Sequence, residues 1–152
     1  MKLHRFETFQ RLPVSLAEVW DFASDPSNLA QITPPSLGLR VTSPAQGKMH
    51  PGMIITYVVR PLFGVPVRWV TEITHVVEPH LFVDEQRFGP YRFWHHQHHF
   101  REIDGGVEMR DVVHYALPRG SGPARRWMVE PRLREIFAFR RRVLDERYGP
   151  WK

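Results

Sequence analysis

Residues 94–117 read WHHQHHFREIDGGVEMRDVVHYAL, two runs of alternating character joined by Asp104-Gly105-Gly106. Side chains two apart share one face of a strand. With Gly105 and Gly106 as the turn residues of a two-residue hairpin, Asp104 opposes Val107. Period two then puts Trp94, His96, His98 and Phe100 on one face, beside Met109, Asp111, Val113, Tyr115 and Leu117. The opposite face takes His95, Gln97, His99 and Arg101 with Glu108, Arg110 and His114. The aromatic and aliphatic set is the core face, and it contains two histidines and an aspartate.

Strand character continues upstream through LGLRVTS (37–43), MIITYVV (53–59), VPVRWVTEITHVV (65–77) and LFVDEQRF (81–88), punctuated by Glu78-Pro79-His80 and Gly89-Pro90. Period two points Trp69, Thr71, Ile73 and His75 inward, and a turn at Pro79 and His80 sets Phe82, Asp84 and Gln86 beside them, His75 opposite Asp84. Earlier still, LHRFETFQRL predicts a first strand. Leu16, Val19, Trp20 and Ala23 recur at helical spacing after Ser15, and Asp25-Pro26 opens a second short helix that ends before Thr33-Pro34-Pro35. After residue 118, PARRWMVEPRLREIFAFRRRVLDERYG predicts a long amphipathic helix. Six consecutive strands joined by short turns make an antiparallel sheet whose apolar face needs a cover, and this helix supplies it. The expected fold is α+β: a seven-stranded antiparallel sheet over a C-terminal helix, with two short helices after strand 1, as one domain over residues 1–152.

A chain of 152 residues with 42% hydrophobic and 24% charged side chains is long enough to bury roughly 68 to 70% of its unfolded surface. No disordered chain and no membrane bundle has this composition. The absence of cysteine excludes disulfides and thiolate sites and fits a reducing compartment. MKLHRFETF lacks the apolar run of a signal peptide, and no stretch approaches the ~20 apolar residues of a membrane span, so a cytoplasmic protein without stable membrane insertion is expected. The net charge of +5 is uneven: residues 1–118 carry 11 basic and 12 acidic groups, and residues 119–152 carry 10 and 4. Arginines alternating with apolar residues describe a solvated helix face, and no helix-turn-helix, zinc finger or RNP pattern accompanies them. No nucleic-acid partner is expected.

Polar groups on an inward face satisfy one another or line a wet cavity, since an unpaired one costs about 1 to 3 kcal/mol. His75, Asp84, Gln86, His96, His98 and Asp111 are more than one dry core needs, which favours a lined cavity of roughly 300 to 1,000 Å³. His96 and His98, two apart on a strand, could share an ion with Asp84 or Asp111, but alternation splits the histidine string between faces. No metal and no cofactor are expected.

Several motifs carry a resemblance over almost the whole chain: ITPP near residue 32, GMIITY from Gly52, WVTEI from Trp69, FVDEQRFGPY from Phe82, WHHQHHF from Trp94 and MRDVVHYALP from Met109. Together they resemble the SRPBCC superfamily, which comprises START lipid-transfer domains, the major birch pollen allergen and polyketide cyclase/dehydrase-like proteins. The likeness is nearest to a bacterial branch labelled cyclase/dehydrase or cell-division inhibitor. It implies a helix-grip fold with a deep cavity between curved sheet and C-terminal helix. It leaves open the choice among carriers, cyclases, hydrolases and co-chaperones. Pro131 inside the final helix departs from the pattern and is expected to kink or divide it.

The expected function is binding of a small hydrophobic or amphipathic molecule, a lipid, polyketide or aromatic metabolite. Trp69, Phe82, Trp94, Phe100, Val113, Tyr115, Leu133 and Phe137 would form walls, and Asp84, Gln86, His96, His98 and Asp111 would orient a polar end. The alternatives are a cyclase or dehydratase that moves a proton with a cavity histidine and a carboxylate, and a scaffold or membrane-surface module that uses the basic helix. On that helix Leu133, Ile136, Phe137, Val143 and Leu144 form one stripe with Arg140 in its middle. Arg140 is expected to meet Asp111, Asp84 or an anionic ligand group. Ligand identity and oligomeric state are not fixed by these patterns.

Overall fold

The computed structural model describes residues 2–43, 47–61, 64–120 and 122–152; the side chains of 122–126, Arg125 and Arg126 of the basic tail among them, lie outside the described residues. Strand β1 (His4–Leu12) leads into helix α1 (Leu16–Ala23), two 3-10 helices (Pro26–Ile32 and Pro35–Leu37) and strands β2 (Arg40–Val41), β3 (Ile54–Val59), β4 (Val67–Val77), β5 (Leu81–Phe88), β6 (Phe93–Ile103) and β7 (Gly106–Ala116). Helix α2 (Gly122–Tyr148) ends the fold. The sheet order is β1-β7-β6-β5-β4-β3-β2, antiparallel throughout. No helix of the described residues is long and apolar enough to cross a membrane.

Local chemistry explains the boundaries. Ser15 caps α1: its Oγ accepts from the Glu18 amide at 3.3 Å and donates to the Glu18 carboxylate at 3.4 Å. The second expected helix starts at Asp25, whose carboxylate accepts from Ser27 N at 2.9 Å, and it is 3-10 rather than α. The predicted strand 37–43 shrinks to Arg40–Val41, because Pro35–Leu37 forms a further 3-10 turn closed by left-handed Gly38. Pro131 does not divide α2, which runs continuously through it. The carbonyl deprived of its donor is that of Trp127, a residue 80% exposed, where water can take the bond.

In the β6–β7 hairpin Ile103 pairs with Gly106, so Asp104-Gly105 is the turn and the pairing sits two positions from the expected one. A shift of two leaves every side chain on its predicted face; His96 now opposes Val113 and His98 opposes Asp111. Gly105 has φ +83°, as such a turn requires. Gly106 is needed for another reason: a Cβ there would lie 2.1 Å from the Leu12 carbonyl oxygen of the neighbouring strand. A register shift between Ile73 and His75 on β4 inserts Thr74, turns His75 out to solvent and gives its inward place to Val76, so Ile73, not His75, opposes Asp84.

The core forms three clusters, two of which share Met49 and Val76 at their edges. One cluster joins α1 to the sheet through Leu12, Val19, Trp20, Phe82, Phe100 and Leu144. A second joins α2 to β7 through Val113, Tyr115, Leu133 and Phe137, and a third, Met53, Ile55 and Ile73, lies on β3 and β4. Gly106→Ala is expected to lower stability by about 1 to 3 kcal/mol in chemical denaturation because the β1–β7 contact must open to admit the methyl group. An unchanged midpoint would show that the strands do not pass so closely.

Candidate functional site

Strands β4, β5 and β6, the face of α2 and the short helices enclose a cavity of about 180 Å³, smaller than the range expected from the sequence. Alternation brings Trp69, Phe82, Asp84, Trp94, His96, His98 and Phe100 to it from the sheet. Helix α2 contributes Leu133, Phe137 and Arg140, successive positions of its buried stripe. The other four expected residues do not line it. Gln86 instead clamps the loop before β6, donating to the Tyr91 carbonyl at 2.6 Å and accepting from the Tyr91 amide at 3.2 Å. Asp111, Val113 and Tyr115 lie on β7, one strand beyond β6 in the sheet, and are buried there.

Sequence reasoning missed a second group of walls. Tyr57 and Val59 come from β3, Phe22 from α1, and Leu29 and Ile32 from the 3-10 helix. The same period-two reading that placed Trp69 inward would have found Tyr57, which stacks on Trp69 at 5.7 Å between ring centres and meets Thr71 Oγ1 at 3.0 Å.

The polar centre is a closed cluster. Asp111 Oδ1 lies 2.9 Å from His96 Nε2, 3.1 Å from His98 Nδ1 and 3.1 Å from Arg140 Nη1. Asp84 Oδ2 lies 2.7 Å from His98 Nε2 and 3.3 Å from His96 Nδ1, and its Oδ1 accepts from Trp94 Nε1 at 3.3 Å. The imidazoles are 3.7 Å apart at their centres; His98 stacks on Phe82 at 4.0 Å and His96 meets Phe137 edge-on at 5.7 Å. Polar cluster and apolar clusters are therefore in direct contact.

Burial pushes the Asp111 carboxyl up, but the Arg140 charge and hydrogen bonds from His96 and His98 outweigh it and hold the group well below the usual carboxylate range. For Asp84, burial is likewise overcome by the charge and hydrogen bond of His96 and by His98, so it too stays ionised. Burial acts on His96 in the opposite sense, and the Asp84 charge with the Asp111 hydrogen bond raises its affinity for a proton nonetheless. Asp84, His96 and His98 place donor atoms within 4.8 Å of one another, a set of the size a divalent ion uses. In this arrangement each ring nitrogen already faces a carboxylate, and Arg140 brings a positive charge to the adjoining Asp111.

A curved antiparallel sheet that grips a C-terminal helix over a largely apolar cavity defines a helix-grip protein of the SRPBCC superfamily. Residues 12–138 match the family described as polyketide cyclase/dehydrase and lipid transport, and the chain belongs to that family. A protein of Thermus thermophilus is similar in structure at TM-score 0.72 and 19% identity, over 97% of each chain. Ara h 8.0201 is similar at 0.65 and 16%, over 94% of this chain and 98% of its own. The di-domain ARO/CYC BexL of the BE-7585A biosynthetic pathway is similar at 0.73 and 16%, over 99% of this chain and 51% of its own. At these identities the likeness concerns the fold. No curated protein sequence matches the chain.

Two outcomes are expected of the cluster. Arg140→Ala should cost about 3 to 5 kcal/mol, because it leaves the buried Asp111 charge without its helix partner, and a double-mutant cycle of Arg140 with Asp111 should give a coupling well above ~0.5 kcal/mol. Smaller coupling would mean that the guanidinium does not hold the carboxylate. The second outcome is a stability profile with two limbs. His96 binds its proton more tightly when folded, so its contribution is complete below its ordinary value of 6.5 and is lost as pH rises through the elevated folded value. The Asp84 and Asp111 contributions are present above 3.8 and are lost as pH falls towards their depressed values. Thermal melts across pH should show both limbs, and His96→Gln should flatten the alkaline one; an unchanged alkaline limb would remove His96 from this account.

Proposed function

We propose that the protein is a single helix-grip domain over residues 1–152 that binds one small, mainly apolar molecule in the cavity between sheet and α2, with its polar end at the ion cluster. The observation that carries this reading is the cavity itself, walled mostly by aromatic and aliphatic side chains around a few convergent polar groups. Trp69, Phe82, Trp94, Phe100, Leu133 and Phe137 contact the apolar body, and Asp84, His96, His98 and Arg140 surround the polar end. Val113 and Tyr115 back the wall, Asp111 holds the charged groups in place, and Gln86 fixes the loop at Tyr91. The family's polyketide cyclase, dehydrase and lipid-transport members keep lipid, polyketide and aromatic ligands in view. A cysteine-free composition supports a cytoplasmic setting.

The cluster's geometry supports holding over proton transfer. Both nitrogens of His96 and of His98 are turned to carboxylates, so neither ring presents a nitrogen to the cavity. Much of the basic helix is also committed within the chain: Arg132 pairs with Glu135, Arg134 with Glu130, and Arg147 lies 4.5 Å over the Phe22 ring. That weakens the case for a nucleic-acid or lipid-surface role. Calorimetric titration with naphthalene is expected to give saturable one-to-one binding, and Leu133→Trp, which fills the cavity, should weaken it at least about tenfold while the protein stays folded. Absence of binding, or binding indifferent to that substitution, would overturn the reading.

A further inference from the structure

Among the described residues, three buried side-chain polar atoms have no hydrogen-bond partner: Ser24 Oγ, Trp69 Nε1 and Arg140 Nε. Two of the three belong to residues that line the cavity, and both of those are donors. Arg140 is only 9% exposed, so the unpaired Nε is not left to bulk water. A guanidinium offers donors in a fixed fork; here Nη1 meets Asp111 and, among the described residues, Nε meets no partner. The acceptors nearby already have partners: Asp84 accepts from Trp94 and bonds His98, Asp111 accepts from Arg140 and bonds His96, and Tyr57 and Thr71 share one hydrogen bond. The polar end of the cavity thus has donors to give and few acceptors to offer. A ligand hydroxyl or amine would bring a further donor to this wall. A group that only accepts, and carries negative charge to match the unused side of the guanidinium, satisfies it.

Size sets the rest of the molecule. A cavity of about 150 Å³ lined by Leu, Ile and Phe is what benzene occupies, and the cavity here is about 180 Å³. Its walls supply flat partners: Trp69, Tyr91 and Trp94 meet one another at ring-centre distances of 4.8 to 5.5 Å, and Phe137 faces them from the helix side of the cavity. We infer that the ligand is a small aromatic carboxylic acid of one or two rings, whose carboxylate takes the Nε edge of Arg140 and whose ring lies among the cavity aromatics. The inference rests on the cavity-binding reading above and goes beyond it by naming the ligand's charge, hydrogen-bonding sense and size.

The test is isothermal titration of the intact protein at neutral pH with three probes of one shape: 2-naphthoate, 2-naphthalenemethanol and naphthalene. The expected result is that 2-naphthoate binds at least tenfold more tightly than either of the others. In Arg140→Lys, which keeps the charge and removes the guanidinium edge, that preference, read as the ratio of 2-naphthoate to naphthalene affinity within the same variant, should collapse to less than threefold. Equal affinities for the three probes would overturn the inference and leave the apolar-cavity reading standing. Failure of all three to bind would overturn both. A preference that survives in folded Arg140→Lys would overturn the assignment to Arg140; should that variant not fold, the wild-type ranking decides, and a pH titration supplements it. Binding of 2-naphthoate, but not of naphthalene, must fall as the probe's own carboxyl is protonated, and parallel pH profiles would likewise overturn the inference.

Discussion

Asp111 Oδ1 is where helix and sheet become one structure. His96 and His98 on the adjacent strand and Arg140 on α2 all reach it within 3.1 Å. An oxygen so surrounded bonds His96 and Arg140 and holds His98 in contact, so it draws three buried polar groups together. Removing the carboxylate would leave a guanidinium and two imidazoles competing for Asp84 alone. The position of α2 above the sheet, and with it the height of the cavity, depends on this contact as much as on the Leu133, Phe137 and Leu144 packing around it.

A polar tie of this kind accounts for an interior that keeps a cavity. If apolar packing alone held α2 down, the helix would settle onto the sheet until the space closed, because interiors tend to close packing. Instead Phe82 and Phe137 close onto the faces and edges of the histidines, so that the clusters they belong to meet at the ionic centre. The ions act as a spacer of fixed length, and the aromatic residues of β4 to β6 line the room that is left.

The sheet, its strand count and the faces of β6 and β7 were legible because period two survives an error of two positions in register; the Asp104-Gly105 turn moved every pairing without moving a side chain across the sheet. The contact of Arg140 with Asp111 was legible because the apolar stripe of α2 is interrupted at one place by a cation. Less legible was what breaks periodicity. The bulge at Thr74 leaves no mark in the sequence VRWVTEITHVV, yet it turns His75 outward, and nothing in LGLRVTS distinguishes a seven-residue strand from a 3-10 turn followed by two paired residues. Gln86 fell on the inward face as expected, but its amide is consumed by the backbone of Tyr91, a local bond that alternation cannot reveal. Tyr57 was hidden for the opposite reason: it obeys the alternation, and a tyrosine among aliphatic residues does not stand out as a wall.

The histidine run of β6 is symmetric about Gln97: His96 mirrors His98 on the inward face and His95 mirrors His99 on the outward one. The outward members form their own chain, Glu85 to His95 at 2.9 Å, His95 to Gln97 at 3.1 Å and Gln97 to His99 at 3.0 Å, while the inward pair holds the aspartates. A strand that carries imidazoles on both faces supplies no phase information through them. The phase is written at the two ends of the run, where Trp94 and Phe100 sit six residues apart on the inward face and Arg101 follows on the outward one. Rotating the strand by one position would put Gln97 and one histidine where His96 and His98 stand, and towards Arg101 it would bury a guanidinium at one edge. The aromatic ends of β6 are thus a reading frame for chemistry that its centre cannot specify.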